Sequence, residues 1–135
     1  MNLKDLQIDT TWTLFLDRDG VINKKLENDY VKHTTEFEFT DGTLNALKLL
    51  NPLFGKIVVV TNQQCIGKKI IYPEDLDLIH RNMLYEITYL NGRIDKIYYS
   101  PYLASENHLR ENHQLVWLCR QKPIFQKLIS RNLLL

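Results

Sequence analysis

Thr13-Leu14-Phe15-Leu16-Asp17-Arg18-Asp19-Gly20 is a short, mostly apolar run that breaks abruptly into two carboxylates, a guanidinium and a glycine. A run this brief, ending in a polar cluster, reads as a buried strand delivered into a loop. Lys56-Ile57-Val58-Val59-Val60 repeats the pattern more strongly: it is β-branched and again ends in polar residues, Thr61-Asn62-Gln63-Gln64. A third candidate strand, Ile97-Tyr98-Tyr99, is closed by Ser100-Pro101.

Helical signals fill the intervals. Thr40-Asp41-Gly42 offers an N-cap, and Leu44, Leu47 and Leu50 mark one face before Pro52 and Gly55 end the run. Pro73 followed by Glu74 and Asp75 is a helix start, with proline early and acids in the first turn. Leu76, Ile79, Met83, Ile87 and Leu90 keep helical spacing until Asn91-Gly92. Residues 23–36 show no period and read as loop. Strand, helix, strand, helix, strand predicts an α/β domain with parallel strands and helical crossovers. Ligands in such sheets bind at the carboxyl ends of the strands, where two of the three runs place their polar clusters.

The chain has 135 residues, 44% apolar and 24% charged, with a formal net charge of +1. That suits one domain with one modest core, and gives no bulk electrostatic case for nucleic acid or a membrane surface. No apolar run approaches the roughly 18–20 residues that span a bilayer, and the polar start, with Asp5 and Asp9, is unlike a secretory leader. The expectation is a cytoplasmic protein with Cys65 and Cys119 as free thiols.

Asp17 and Asp19 bring two like charges close together, and each raises the other's pKa unless a cation intervenes. A hard cation with oxygen ligands, most often Mg²⁺, resolves the conflict. One carboxylate can then attack an electrophile while the other handles a proton. Arg18 and Gly20 suit a tight loop whose amides could face a phosphate.

Phe15-Leu16-Asp17-Arg18-Asp19-Gly20-Val21-Ile22-Asn23 resembles the first motif of the haloacid dehalogenase (HAD) phosphatases, and is closest to the small-cap branch that holds heptose-bisphosphate and histidinol-phosphate phosphatases. Val58-Val59-Val60-Thr61-Asn62-Gln63-Gln64 resembles the second motif of that branch. Phe37-Glu38-Phe39-Thr40-Asp41-Gly42 and Ile97-Tyr98-Tyr99-Ser100-Pro101 match in order, so the likeness runs from residue 12 to about 110. It implies a HAD-like Rossmannoid three-layer domain and a Mg²⁺-dependent phosphomonoesterase acting on a sugar phosphate or similar small metabolite. Asp17 would form an aspartyl-phosphate; Asp19 would protonate the leaving group and then activate water. Both would hold Mg²⁺. Thr61 would donate to the phosphate and Asn62 would orient the substrate, with Arg18, Gln63, Gln64 and Arg110 completing the phosphate and substrate set. Glu27, Asn28, Asp29 and Tyr30 fall where the family lines its substrate pocket. A phosphate-binding protein without turnover and a receiver-like phosphorylatable module are the competing readings; the Asp-x-Asp-Gly run counts against the second.

The chain departs from the family in three places. Many relatives carry a zinc loop beginning Cys-Pro-His, where this chain has Ser100, Pro101 and Tyr102; with His108 and His113 as the nearby histidines, no zinc is expected. Cys65 stands where relatives usually have glycine. The family's fourth motif, usually Gly-Asp-x-x-x-Asp, supplies further metal ligands, yet no Asp or Glu follows Glu111. Back-translation of residues 111–133 with two bases dropped permits a reading that opens Lys-Pro-Ser-Thr-Gly-Met, the family's Lys-Pro-x-x-Gly-Met. The expectation is a partial core over residues 1–110, incomplete at its C-terminus, and a frameshifted tail over 111–135. The alternative is a divergent end in which Lys122-Pro123 serves as the lysine motif. An intact relative is expected to be monomeric, whereas an uncovered sheet edge here would invite self-association.

Overall fold

The computed structural model describes residues 7–101. Strand β1 is Thr13–Leu16, helix α1 Thr43–Leu50, strand β2 Lys56–Asn62, helix α2 Gln64–Gly67, helix α3 Pro73–Tyr89 and strand β3 Lys96–Ser100, with a 3-10 turn at Thr34–Glu36. The expectations at Tyr102, His108, Arg110, His113, Cys119, Lys122-Pro123 and the tail 111–135 lie outside the described residues.

The three strands form one parallel sheet in the order β1-β2-β3. Leu16 pairs with Val59, and Asn62 with Ser100, so the strands end side by side. Leu14 and Leu16 alternate with Phe15, and Ile57 and Val59 with Val58, as the two-residue strand period requires. Leu14, Leu16, Ile57 and Val59 face Leu47 and Leu50 of α1 and Met83 and Ile87 of α3 in one buried cluster. Each such side chain contributes about 1.5–3 kcal/mol through loss of apolar surface to water. This is the parallel α/β core, with flanking helices, that the sequence pattern predicts.

Local chemistry explains the ends of the elements. Pro73 opens α3, and the Asp75 carboxylate accepts the Tyr72 N–H at 2.9 Å. Asn91, in the left-handed conformation, and Gly92 stop the helix; Leu90, expected on the buried face, is instead exposed at the C-cap. At α1 the cap is Gly42 in the left-handed region, and no side chain caps the helix. The Thr40 hydroxyl, a candidate for that duty, donates to the Val21 carbonyl at 2.6 Å and ties α1 to the first loop instead. Arg93 donates to the Asn51 and Phe54 carbonyls at 3.0 and 2.6 Å, satisfying acceptors just past the end of α1. Gly55 lies where an added Cβ would come 1.8 Å from the Thr10 carbonyl oxygen, so the entry to β2 has no room for a side chain.

Candidate active site

Asp17 is the first residue past β1, and the chain then turns sharply. The Arg18 carbonyl accepts N–H groups from Val21, Ile22 and Asn23 at 2.8–3.2 Å, and Gly20, with φ of 87°, donates to the Asn23 carbonyl at 2.8 Å. Positive φ is what glycine supplies at low cost. Asn23 then bridges to Phe39, flanked by Lys24 N–H to the Glu38 carbonyl and Thr40 N–H to the Ile22 carbonyl. These contacts close a stem from which residues 25–37 project.

A cleft of about 790 Å³ lies between this projecting loop and the end of β2. Asp17 and Asp19 line it with Asn62 and Gln64 on one side and Glu27, Asn28, Asp29 and Tyr30 on the other. Lys25 and Lys68 also line it, and the sequence reading had singled out neither. The Lys68 ammonium donates to the Tyr30 hydroxyl at 2.8 Å and sits 5.2 Å from that ring's centre. Lys25 and Lys68 give the cleft two cations against the four carboxylates of Asp17, Asp19, Glu27 and Asp29.

Other candidates lie under the cleft. Thr61 and Gln63 are buried, and Gln63 Nε2 donates to Thr61 Oγ1 and to Asp19 Oδ2, both at 2.8 Å. Strand alternation explains the split: Asn62 points into the cleft while Thr61 and Gln63 point beneath it. Arg18 is wholly buried, so its guanidinium is not on the cleft wall where a phosphate ligand would be expected. It donates through Nη2 and Nε to Asp19 Oδ1 at 2.8 and 3.3 Å, and through Nη1 it meets His80 Nε2 at 3.1 Å. His80 is 6% exposed. It follows Ile79 and stands four residues after Leu76 on the buried stripe of α3, a position that only a count including polar residues would have found.

The two aspartates differ electrostatically. Burial pushes the Asp17 carboxyl above the usual carboxylate range, and the charge on Asp19 adds to the effect despite the Arg18 N–H donated at 2.7 Å. Burial also pushes the Asp19 carboxyl up, but the Arg18 guanidinium overrides this with hydrogen bonds from Arg18, Asn23 and Gln63, and holds it below that range. Asp19 therefore rests as a carboxylate. Burial, with Arg18 beside it, lowers the His80 imidazole to about 4. Burial raises the Cys65 thiol, which is free and wholly buried.

The pair fits the beginning of a hard-cation site. One Asp17 oxygen accepts the Arg18 N–H and the other takes no hydrogen bond from the described residues. Asp19 Oδ2 accepts one, from Gln63. Among the described residues no set of three or more His, Cys, Asp or Glu side chains comes together to hold a metal, so these carboxylates offer part of a coordination shell.

No family model matches the chain. It is 37% identical over 123 residues to the D-glycero-alpha-D-manno-heptose-1,7-bisphosphate 7-phosphatase of Mycobacterium bovis, a match covering 88% of this chain and 64% of that protein. Against the Mycobacterium tuberculosis protein of the same name it is 40% identical over 95 residues, covering 70% and 50%. The chain therefore spans between about half and 64% of the length of these curated relatives. The solved D,D-heptose 1,7-bisphosphate phosphatase from Burkholderia thailandensis superposes with a TM-score of 0.51 at 31% identity, over 67% of this chain and 52% of that one. The B. bronchiseptica D,D-heptose 1.7-bisphosphate phosphatase, solved with magnesium and phosphate, shares the fold with a TM-score of 0.71 at 23% identity, over 82% and 63%. With its parallel sheet and its Asp17-Arg18-Asp19 loop at the strand ends, the chain has the core fold of the HAD phosphatases and resembles the heptose-bisphosphate phosphatases among them.

Proposed function

We propose that the chain carries the catalytic core of a Mg²⁺-dependent phosphomonoesterase acting on a small phosphorylated metabolite of the sugar-phosphate class. One observation carries the reading: Asp17 stands at the carboxyl end of a parallel strand, facing a cleft, beside a second carboxylate that Arg18 keeps ionised. The names of the relatives add a heptose bisphosphate as the substrate to try first.

In this reading an Asp17 oxygen attacks phosphorus, forming an aspartyl-phosphate as the bond to the leaving oxygen breaks. Asp19, which rests as a carboxylate, takes up a proton from solvent and delivers it to that oxygen. As a carboxylate it then takes a proton from the water that attacks the phosphorus and releases inorganic phosphate. Asn62 and Gln64 orient the substrate from one wall; Glu27, Asn28, Asp29 and Tyr30 contact it from the other. Thr61 and Gln63 act from below by fixing Asp19. Asp17 and Asp19 would hold a magnesium ion, which would supply charge neutralisation for the incoming phosphate.

The test is phosphate release from heptose bisphosphate and p-nitrophenyl phosphate with and without Mg²⁺, comparing the parent with Asp17→Asn. The near-isosteric amide lacks the nucleophile, so release should vanish while the fold persists. An Asp17→Asn protein as fast as its parent overturns the assignment. Phosphate binding without turnover in the parent favours the non-catalytic reading.

A further inference from the structure

We propose that His80 is a positioning residue for this site: its Nε2 lone pair anchors one end of the Arg18 guanidinium, whose other end fixes the Asp19 carboxylate. The role rests on the phosphatase reading, because that reading makes the orientation of Asp19 matter.

Arg18 has no exposed surface, so its charge must be satisfied inside the protein. Nη2 and Nε donate to one oxygen, Asp19 Oδ1, at 2.8 and 3.3 Å. Two donors on one acceptor leave a planar group free to rock about that atom. The contact from Nη1 to His80 Nε2 at 3.1 Å, made from a helix 62 residues away in sequence, supplies the second anchor. Arginine donates and never accepts, so Nε2 must be the acceptor and the ring proton must reside on Nδ1. A protonated ring, or the other tautomer, would set donor against donor.

Asp19 receives its remaining bonds from Asn23 Nδ2 at 3.0 Å and Gln63 Nε2 at 2.8 Å. The carboxylate is thus held from the loop after β1 and from the end of β2. Through Arg18, α3 is the third element to hold it. Loss of the His80 acceptor frees the guanidinium to swing and lets Asp19 shift against Asn23 and Gln63. A displacement of about 1 Å at a proton-transfer group costs on the order of 10²-fold in rate.

Three measurements on the full 135-residue chain test the proposal. Nitrogen spectra of the imidazole should find Nδ1 protonated and Nε2 bare. A proton on Nε2 overturns the proposal, and this measurement needs no variant. The Asn23 and Gln63 side-chain amide signals report on Asp19; they should shift in His80→Leu, which keeps bulk and loses the acceptor, and return in His80→Gln, which restores one. Signals that stay in place in His80→Leu overturn the positioning role, because mere filling of space would leave them there. For p-nitrophenyl phosphate, kcat should fall about 10–100-fold in His80→Leu with KM within about twofold, and recover in His80→Gln. Equal losses in both variants also overturn it. A parent with no turnover but the expected amide pattern sinks the phosphatase reading and leaves the support of Asp19 by His80 intact.

Discussion

Acidifying the solution from pH 7 to pH 5 should cost the folded protein about 2 kcal/mol through His80 alone. The folded imidazole titrates at about 4, against 6.5 for an ordinary histidine. Between those values the unfolded chain binds the proton that the folded chain refuses. Stability from this group is therefore complete above about pH 6.5 and drains away as pH falls toward about 4. By pH 5 the unfolded state gains about 30-fold in weight, and the full gap is worth about 3 kcal/mol. The groups around the ring are Arg18 and Asp19 from the first loop and Tyr99 from β3, with Asp77, Arg81, Asp95 and Lys96 sharing the groove it lines. Asp17 acts with the opposite sign, since its raised carboxyl burdens the fold less once protonated. Asp19 and Asp95, both lowered, lose their contributions as pH falls through their folded values below 3.8. Urea unfolding of the parent and of His80→Gln at pH 7, 6 and 5, followed by circular dichroism, cancels these shared terms. The stability difference between the two proteins should close by about 2 kcal/mol over that range. A difference that stays constant would falsify the picture of a buried neutral imidazole accepting from Arg18.

Asp19→Asn should lower phosphate release by about 10²–10⁴-fold, the range of a general acid–base group, when assayed beside Asp17→Asn. Gly55→Ala should destabilise by about 1–3 kcal/mol in thermal unfolding, because its Cβ would meet the Thr10 carbonyl and neither backbone can yield freely. Met83→Ala, in the cluster joining α3 to the sheet, should cost about 2–5 kcal/mol by the same assay. The shifted reading of the tail predicts that the coding DNA past Arg110, read in the displaced frame, continues through Lys-Pro-x-x-Gly-Met into a Gly-Asp segment. A stop codon soon after that point in the displaced frame would count against it.

β1 and β2 were legible because strands in a parallel sheet, buried on both faces, carry runs of apolar residues that end abruptly where the backbone leaves the sheet. Leu76, Ile79, Met83 and Ile87 were legible because a helix buries one stripe, and hydrophobicity writes that stripe into the spacing. His80 lies on the same stripe and escaped notice because its burial depends on a partner, Arg18, that only the fold brings near. Arg18 misled for a related reason: beside a phosphate motif a guanidinium reads as a ligand, and nothing local says that it turns inward to Asp19. Lys25 and Lys68 belong to separate loops whose meeting across the cleft has no periodic signature. The cap at α1 also went to a residue the pattern could not choose, since Thr40 had a stronger claim from the Val21 carbonyl.

The closed stem at Asn23 and Phe39 has a consequence for how such a protein can change over generations. Residues 25–37 leave and return through neighbouring positions that are tied to each other by backbone hydrogen bonds. Additions or losses within that excursion need not propagate into the strand that ends at Asp17, because the stem absorbs them. Asn23 meanwhile donates to Asp19, so the gatepost of the excursion is itself wired to the chemistry. Recognition and reaction can thus drift on separate clocks, with the loop sampling new ligands while the carboxylates stay in register.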